Sequence, residues 1–359
     1  MALAAGSVAP PSLLSEGFVH LSTPDQVQVP ANALYSGRTD LLALVIDPAR
    51  LPGELRFERS RHDNPADLHF PHHYGPVPTG AVVAVVPYQP AADGRFTTPV
   101  GLPSPADLVT RARLFDRGLA QRRAAAIVPI NGGIAVLDPR FPASYEHNAL
   151  WIDGPSDAAT VAAETERALG GAGFTHRRAV LDDPATATAL AHRGWRVLEL
   201  RLMIYNGVPP SASRGSPAAV PVAYEIVSGL WERSWRRDHP DLDDDTIRQL
   251  VTQEPIADAV LRVVNLAVLN DRGEPIASTQ LRIDGATAAI EAVMTDPDHR
   301  QSGLARTLVC DALARARAAG CDVVFLTAAA DDWPYRWYRR LGFTDIGTRF
   351  EVTCSTIPD

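Results

Sequence analysis

Apolar positions along the chain follow two spacings. In residues 1–90, "GFVHLS", "DLLALVID", "GELRFER" and "GAVVAVVPY" are short apolar runs bounded by turn residues, the pattern of strands. The helix candidate in this region is "TPDQVQVPANALYSG", and Pro30 is expected to interrupt it. In residues 108–206, "AAAIVPI", "GGIAVLDP", "NALWIDG", "HRRAVLD" and "WRVLELRLMIYN" have strand character. Between them "SDAATVAAETERALGGAG" predicts a helix with Ser156 as N-cap and Gly170-Gly171 as stop, and "PATATALAHRG" a shorter one.

Residues 223–359 begin with a largely helical stretch, "YEIVSGLWERSWRRDHPDLDDDTIRQLVTQE". Five strands are then predicted: "LRVVNLAVLND", "EPIASTQLRID", "TAAIEAVMTD", "CDVVFLTAA" and "FTDIGTRFEVT". A helix over 304–319 falls between the third and fourth, and one over about 333–340 between the fourth and fifth. Residues 89–107 and 207–222 are rich in Pro, Gly, Ser and Ala without either spacing, and are expected to be linkers. The fold class is therefore α/β (α+β), with mixed sheets flanked by helices and preceded by a small, mostly β domain.

Charge narrows the partners. The net charge of −8 argues against broad nucleic-acid or anionic-membrane binding, which need a basic surface. All 34 basic residues are arginine, which excludes a Schiff-base lysine and a Walker-type phosphate lysine. Cys310, Cys321 and Cys354 have neither zinc spacing nor disulfide arithmetic, so a reducing cytoplasm is the expected compartment and no metal is expected. Cys310 and Cys321 are expected to be small buried residues. The first residues lack the basic start of a signal peptide, and no apolar run reaches the ~20 residues of a membrane span.

Candidate chemistry concentrates at Arg300-Gln301-Ser302-Gly303-Leu304-Ala305, where a strand turns into an Ala/Leu/Arg helix. The first N–H groups of that helix have no intrahelical partners and carry the positive end of its dipole. Small residues at 303 and 305 let an anion approach them. Upstream, Glu291 shares a strand face with Val293 and Thr295 if period-two alternation holds. Asp331 and Asp332 precede Trp333-Pro334, where an aspartate suits a helix N-cap.

The spacing Val293-x-x-x-Pro297-x-x-Arg300-x-x-Gly303-x-Ala305 resembles the pyrophosphate loop of the Gcn5-related N-acetyltransferase (GNAT) family, one residue looser after Val293 than its commonest form. "WYRRLGF", residues 337–343, resembles that family's second signature, one strand downstream. The resemblance implies acetyl-CoA as cosubstrate and no metal. Its pyrophosphate would lie on the loop formed by Arg300, Gln301, Ser302, Gly303, Leu304, Ala305 and Arg306. Its pantetheine arm would run beside Val293, Met294 and Thr295, with the acetyl carbonyl polarised by a backbone N–H near Val293. It also implies Tyr338 as general acid, with Glu291 the candidate base; Tyr338 as a core residue and Glu291 as an exposed strand carboxylate are the structural alternatives.

Residues 108–206 resemble the first half of tandem members of the same family but lack an Arg-x-x-Gly-x-Ala loop. A degenerate half forming a wall of the acceptor site is expected there, with "YEHN" (145–148) a structural turn or a polar contact. "PPSLLSEGFVHLST", "DLLALVIDPARL" and "FPHHYGPVP" resemble domain-of-unknown-function family 952. That family is distantly similar to the ADP-ribosyltransferase fold. By that likeness His20, Ser22, Tyr35, His72 and Tyr74 would line a nucleotide pocket. Only about ten small residues precede "PPSL", so a truncated or shortened domain is expected.

The resulting expectation is transfer of an acetyl group from acetyl-CoA to a primary amine of a small molecule or protein, by direct attack in a ternary complex. A catalytically silent CoA-binding module and a nucleotide- or NAD-related activity in the first domain are the alternatives. Nothing in the pattern identifies the acceptor or an oligomeric state.

Overall fold

The computed structural model describes residues 6–59, 68–208 and 217–355. Its contacts divide into two bodies. The first comprises Met1–Gly118, Ile283–Ala288 and Arg317–Asp322, and the second Leu119–Arg282, Ala289–Ala316 and Val323–Asp359.

The first body carries short strands β1 (Ser7–Val8), β2 (Val19–His20), β3 (Leu42–Ile46), β4 (Leu55–Arg59), β5 (His69–His73), β6 (Val77–Pro78) and β7 (Val82–Pro87). They form small sheets ordered β2-β5-β4, β3-β7 and β1-β6. Val19, Val77, Ala81 and Val82 are its buried centre, flanked by Val8, Leu13, Leu21, Ile46, Leu51 and Val85. Helix α1 is Pro11–Ser15 and α2 is Gln28–Tyr35. Pro30 does not interrupt α2. It stands in the first turn, where its missing N–H would have had no intrahelical acceptor.

The stretch 89–107 is not a bare linker. Phe96 packs with Ala31 and Tyr88, and its backbone exchanges two bonds with the Asn32 side chain (2.8 and 2.9 Å). Segments distant in sequence join this body by specific bonds. Ala286 N–H donates to Val82 O at 2.7 Å, and Asp322 pairs with the fully buried Arg111 at 2.6 Å and with Arg50 at 2.5 Å.

The second body is built on one sheet. Its strands are β8 (Ala126–Ile130), β9 (Gly133–Leu137), β10 (Ala149–Ile152), β11 (His176–Leu181), β12 (Arg196–Tyr205), β13 (Val220–Val222), β14 (Arg262–Leu269), β15 (Pro275–Asp284), β16 (Thr287–Thr295), β17 (Val323–Ala329) and β18 (Phe343–Ser355). Helix α3 (Leu108–Arg123) leads into it, and α4 (Ala158–Thr165), α5 (Pro184–Ala191), α6 (Tyr224–Asp238), α7 (Asp244–Thr252), α8 (Leu304–Ala318) and α9 (Trp333–Leu341) flank it. Asp157, not Ser156, caps α4: its carboxylate accepts from Thr160 N at 2.9 Å. No helix among the described residues is long and apolar enough to cross a membrane.

The strand order is β13-β14-β15-β16-β17-β12-β18-β11-β10-β9-β8. Strand β12, from the region expected to be a separate half, lies between β17 and β18. The last strand, β18, lies between β12 and β11. All three pairings are antiparallel: β12 with β17, β12 with β18, and β18 with β11. Local periodicity predicts each strand but not this interleaving, because strand order depends on which edges remain unpaired.

Histidines 147 and 176 are buried in this body. Burial, aided for His147 by the charge of Arg123, holds each ring down to about 4. Both are therefore neutral at pH 7, and acidification must force protons into the folded chain. Between about pH 4 and the ordinary value near 6.5, the unfolded chain holds protons that the folded chain does not, so stability rises with pH there. Each histidine contributes a slope of about 1.4 kcal/mol per pH unit. Urea unfolding measured from about pH 6.5 down to about 4.5 should show a falling midpoint, and replacing both rings with Gln should flatten that trend. An unchanged slope in the double variant would contradict it.

Candidate functional site

The site forms where β16 gives way to α8. Thr279 on β15 donates its hydroxyl to Glu291 O at 2.8 Å. The next residue, Ala292, has φ 51°, a left-handed conformation in mid-strand. For a non-glycine residue that costs about 1–3 kcal/mol. It interrupts the regular strand torsions between Glu291 and Val293, which with Thr295 were expected to share one face; all three are half-buried. Val293, Met294 and Thr295 are each half-buried, and Met294 packs against Val227, Trp231, Val251 and Ala267.

After β16, Asp296 caps a single 3-10 turn, Pro297–His299, accepting from Asp298 N at 3.2 Å. Arg300 is extended and its Nε donates to Thr295 O at 3.4 Å. Gln301 has φ 62° and Gly303 has φ 81°. The Ser302 hydroxyl donates to His299 O. The first backbone bond of the helix runs from Thr307 N–H to Gly303 O at 3.1 Å. Among the described residues, the N–H groups of 301–306 have no hydrogen-bond partner. Residues 300–303 are exposed, while Leu304 turns inward and anchors the helix. A Cβ on Gly303 would meet nothing within 4 Å. Its left-handed torsion, rather than crowding, is what favours glycine at this position.

The second part of the site is α9. Asp332 caps it through Trp333 N at 2.7 Å, and Gly342 ends it at φ 104°. Tyr338 lies on its inner face with 8% exposure, between Trp337 (4.9 Å between ring centres) and Phe343 (5.6 Å). Burial raises the Tyr338 pKa well above the phenol range, and the negative charge of Glu291 raises it further. The structure thus brings Tyr338 and Glu291 within electrostatic reach of each other. Among the described residues no hydrogen bond fixes the Tyr338 hydroxyl. Cys310 and Cys321 are buried.

In the first body, His20, His72 and Tyr74 come together, but Tyr35 does not join their contacts. Phe18 stacks on His72 at 4.1 Å, and His20 meets His72 edge-on at 4.9 Å. Sequence reasoning missed Glu58, which binds His72 Nδ1 at 2.8 Å and accepts from the Tyr74 hydroxyl at 2.9 Å. Alternation along β4 was the available signal, since Glu58 pairs across the sheet with Phe70 and its side chain reaches the neighbouring residues. Ser22 is half-buried outside these contacts.

Residues 224–343 match the sequence profile of the acetyltransferase (GNAT) family, and residues 1–85 match that of a protein family of unknown function, DUF952. A search of curated proteins gives no match. Among solved structures the chain is similar to a functionally unknown conserved protein from Staphylococcus epidermidis: 14% identity, TM-score 0.53, 65% of this chain and 94% of that one. That likeness is one of fold. It is also similar to a GCN5-related N-acetyltransferase from Kribbella flavida: 19% identity, TM-score 0.48, 67% of this chain and 93% of that one. A Caulobacter crescentus protein shares 30% identity over 27% of this chain and 82% of its own, with TM-score 0.24.

Tyr338 should remain a phenol at high pH. Subtracting the ultraviolet titration of a Tyr338→Phe variant from that of the wild type should leave one phenol ionising above the ordinary value of about 10. A difference curve centred at or below that value would contradict the environment described here.

Proposed function

We propose, taking as premise that residues 224–343 are a domain of the acetyltransferase (GNAT) family, that the chain transfers an acetyl group from acetyl-CoA to a primary amine. The observation that carries this reading is the run of unpartnered N–H groups over 301–306, led by the exposed residues 301–303, at the positive end of α8. An anion there gains backbone hydrogen bonds without displacing any. The fit extends to the space around Gly303, where nothing approaches within 4 Å of a would-be Cβ. In this reading residues 301–305 hold the pyrophosphate, with Arg300 and Arg306 adding positive charge. Val293, Met294 and Thr295 lie along the pantetheine arm.

Acetyl-CoA supplies the thioester; the remaining steps belong to side chains. The attacking nitrogen forms a C–N bond and loses a proton to Glu291, directly or through water. The C–S bond breaks, and the leaving sulfur takes the proton of the Tyr338 hydroxyl. What supports this assignment is position: Tyr338 lies on the inner face of α9, protonated at neutral pH and within electrostatic reach of Glu291. Glu291 then gives up its proton and Tyr338 regains one, directly or through water, so the balance is one amine and one thioester in, one amide and one thiol out. No acetyl-enzyme is required.

Tyr338→Phe should lower kcat by about 10² or more while leaving acetyl-CoA affinity within about twofold. Gly303→Glu, which sets a negative charge and a strained torsion in the loop, should remove acetyl-CoA binding. Steady-state kinetics and calorimetry check both. Undiminished turnover in the first variant, or normal affinity in the second, would remove the corresponding assignment.

A further inference from the structure

Helices α8 and α9 both begin at one end of the sheet. Strands β16 and β17 are neighbours joined through α8. Asp322 N–H donates to Ala286 O at 3.1 Å, so the residues leading into the two strands lie side by side and the strands run parallel. Strands β17 and β18 are both antiparallel to β12 and so also run the same way. Strand–helix–strand crossovers of this kind are right-handed. The two steps, β16 to β17 and β17 to β18, go in the same direction across the sheet. Helices α8 and α9 therefore cover one face, and the loop at 300–306 and the start of α9 share one end of it.

The rotation of α9 about its own axis follows from its contacts. Tyr338 and Leu341 are buried against the sheet. The Tyr335 hydroxyl donates to Asp345 on β18 at 2.7 Å, which turns that flank toward β18. With about 3.6 residues per turn, Trp333 and Trp337 fall on the other flank, toward β16 and α8. Trp333 is 67% exposed, and its ring centre lies 6.3 Å from that of the half-buried Trp337. Arg336 and Arg340 occupy the next row outward, beside these rings, and both are exposed. Among the described residues neither of them makes a hydrogen bond or ion pair, whereas Arg339 lies over the Tyr335 ring on the far flank. A chain of net charge −8 has carboxylates to spare, yet leaves these two cations without one.

We infer that this flank of α9 selects the nucleotide end of the cosubstrate, with the adenine on Trp333 and the 3′-phosphate on Arg336. The inference rests on the acetyl-CoA reading above and extends it from the loop to residues outside it. A purine laid on an exposed indole takes both faces out of water. A guanidinium offers a phosphate two parallel hydrogen bonds. Positions 333 and 336 are helix-surface neighbours about 5–6 Å apart at Cβ, the scale of the step from a base to the phosphate on its own ribose. Trp337 backs the Trp333 ring from the next turn, and Arg340 adds charge. The pyrophosphate on the loop of α8 then joins a head on α9 to the arm beside β16. Because Arg336 has no other partner, the 3′-phosphate becomes a feature the chain can discriminate by.

The test is calorimetry on the full chain with acetyl-CoA, its 3′-dephospho form, acetyl-pantetheine and adenosine 3′,5′-bisphosphate, beside an acetyl-transfer assay on a panel of amines. The wild type should bind acetyl-CoA about tenfold or more tighter than the 3′-dephospho form, the worth of one charged hydrogen bond. Arg336→Gln should erase that preference, weakening acetyl-CoA about tenfold while leaving the 3′-dephospho form within about twofold. Trp333→Ala should weaken acetyl-CoA and the bisphosphate about tenfold and leave acetyl-pantetheine within about twofold. Both positions are exposed, so neither change endangers folding. A loss confined to ligands that carry the nucleotide is one that a merely structural role would not produce. Equal wild-type affinity for acetyl-CoA and its 3′-dephospho form, or unchanged acetyl-CoA affinity in either variant, would overturn the inference and leave the loop assignment standing. A wild type with these preferences that acetylates no amine keeps the nucleotide contacts and removes the transferase reading. One that binds neither acetyl-CoA nor the bisphosphate removes both.

Discussion

Strand β12 has both of its edges occupied, β17 along one and β18 along the other, and the second body depends on that double pairing. Its register with β18 runs from Arg196 opposite Thr353 to Tyr205 opposite Phe343, with one irregularity at Leu202 and Met203. A strand paired on both sides leaves no edge to water, and Leu202, Met203 and Ile204 are almost wholly buried. The strand's last residue also reaches the site. The Tyr205 ring lies 5.2 Å from Phe343, and a Cβ on Gly342 would come within 3.1 Å of it. Phe343 in turn packs against Tyr338. The proposed general acid is therefore held in place by a strand that comes from outside its own family-matched region.

This arrangement assigns different work to the two halves of the sheet. Residues 224–343 supply the loop with its unpartnered N–H groups, Glu291 and Tyr338. Residues before 206 supply β12. Arg122 donates to Val260 O at 2.9 Å and Ala143 N–H to Gln249 Oε1 at 3.1 Å, so chain near one end of the strand order is bonded to chain near the other. The half without a pyrophosphate loop thus contributes scaffold.

Much of this was legible in the sequence. The helix at 304 and its glycine followed from local physics, and the structure begins α8 at Leu304. The cap at Asp332 and the stop at Gly342 follow from capping chemistry that acts within a few residues. Interactions that depend on distant partners were not legible. Ala292 gives no sign in the sequence of its left-handed torsion. Phe96 lies in a stretch whose composition reads as linker, yet Asn32, 64 positions away, fastens it. The ion pairs of Arg282 with Glu254 at 2.9 Å and of Arg123 with Glu146 at 3.5 Å are assembled by tertiary folding, and no spacing rule joins those positions.

The central claim is that backbone N–H groups at 301–306 capture a pyrophosphate. The most direct measurement is calorimetric titration of the full chain with acetyl-CoA and, separately, with acetyl-pantetheine, which keeps the thioester and the arm but lacks the nucleotide and its pyrophosphate. The account predicts saturable acetyl-CoA binding that is tighter than acetyl-pantetheine binding by about tenfold or more. Equal affinities, or no binding of acetyl-CoA by the folded chain, would contradict it.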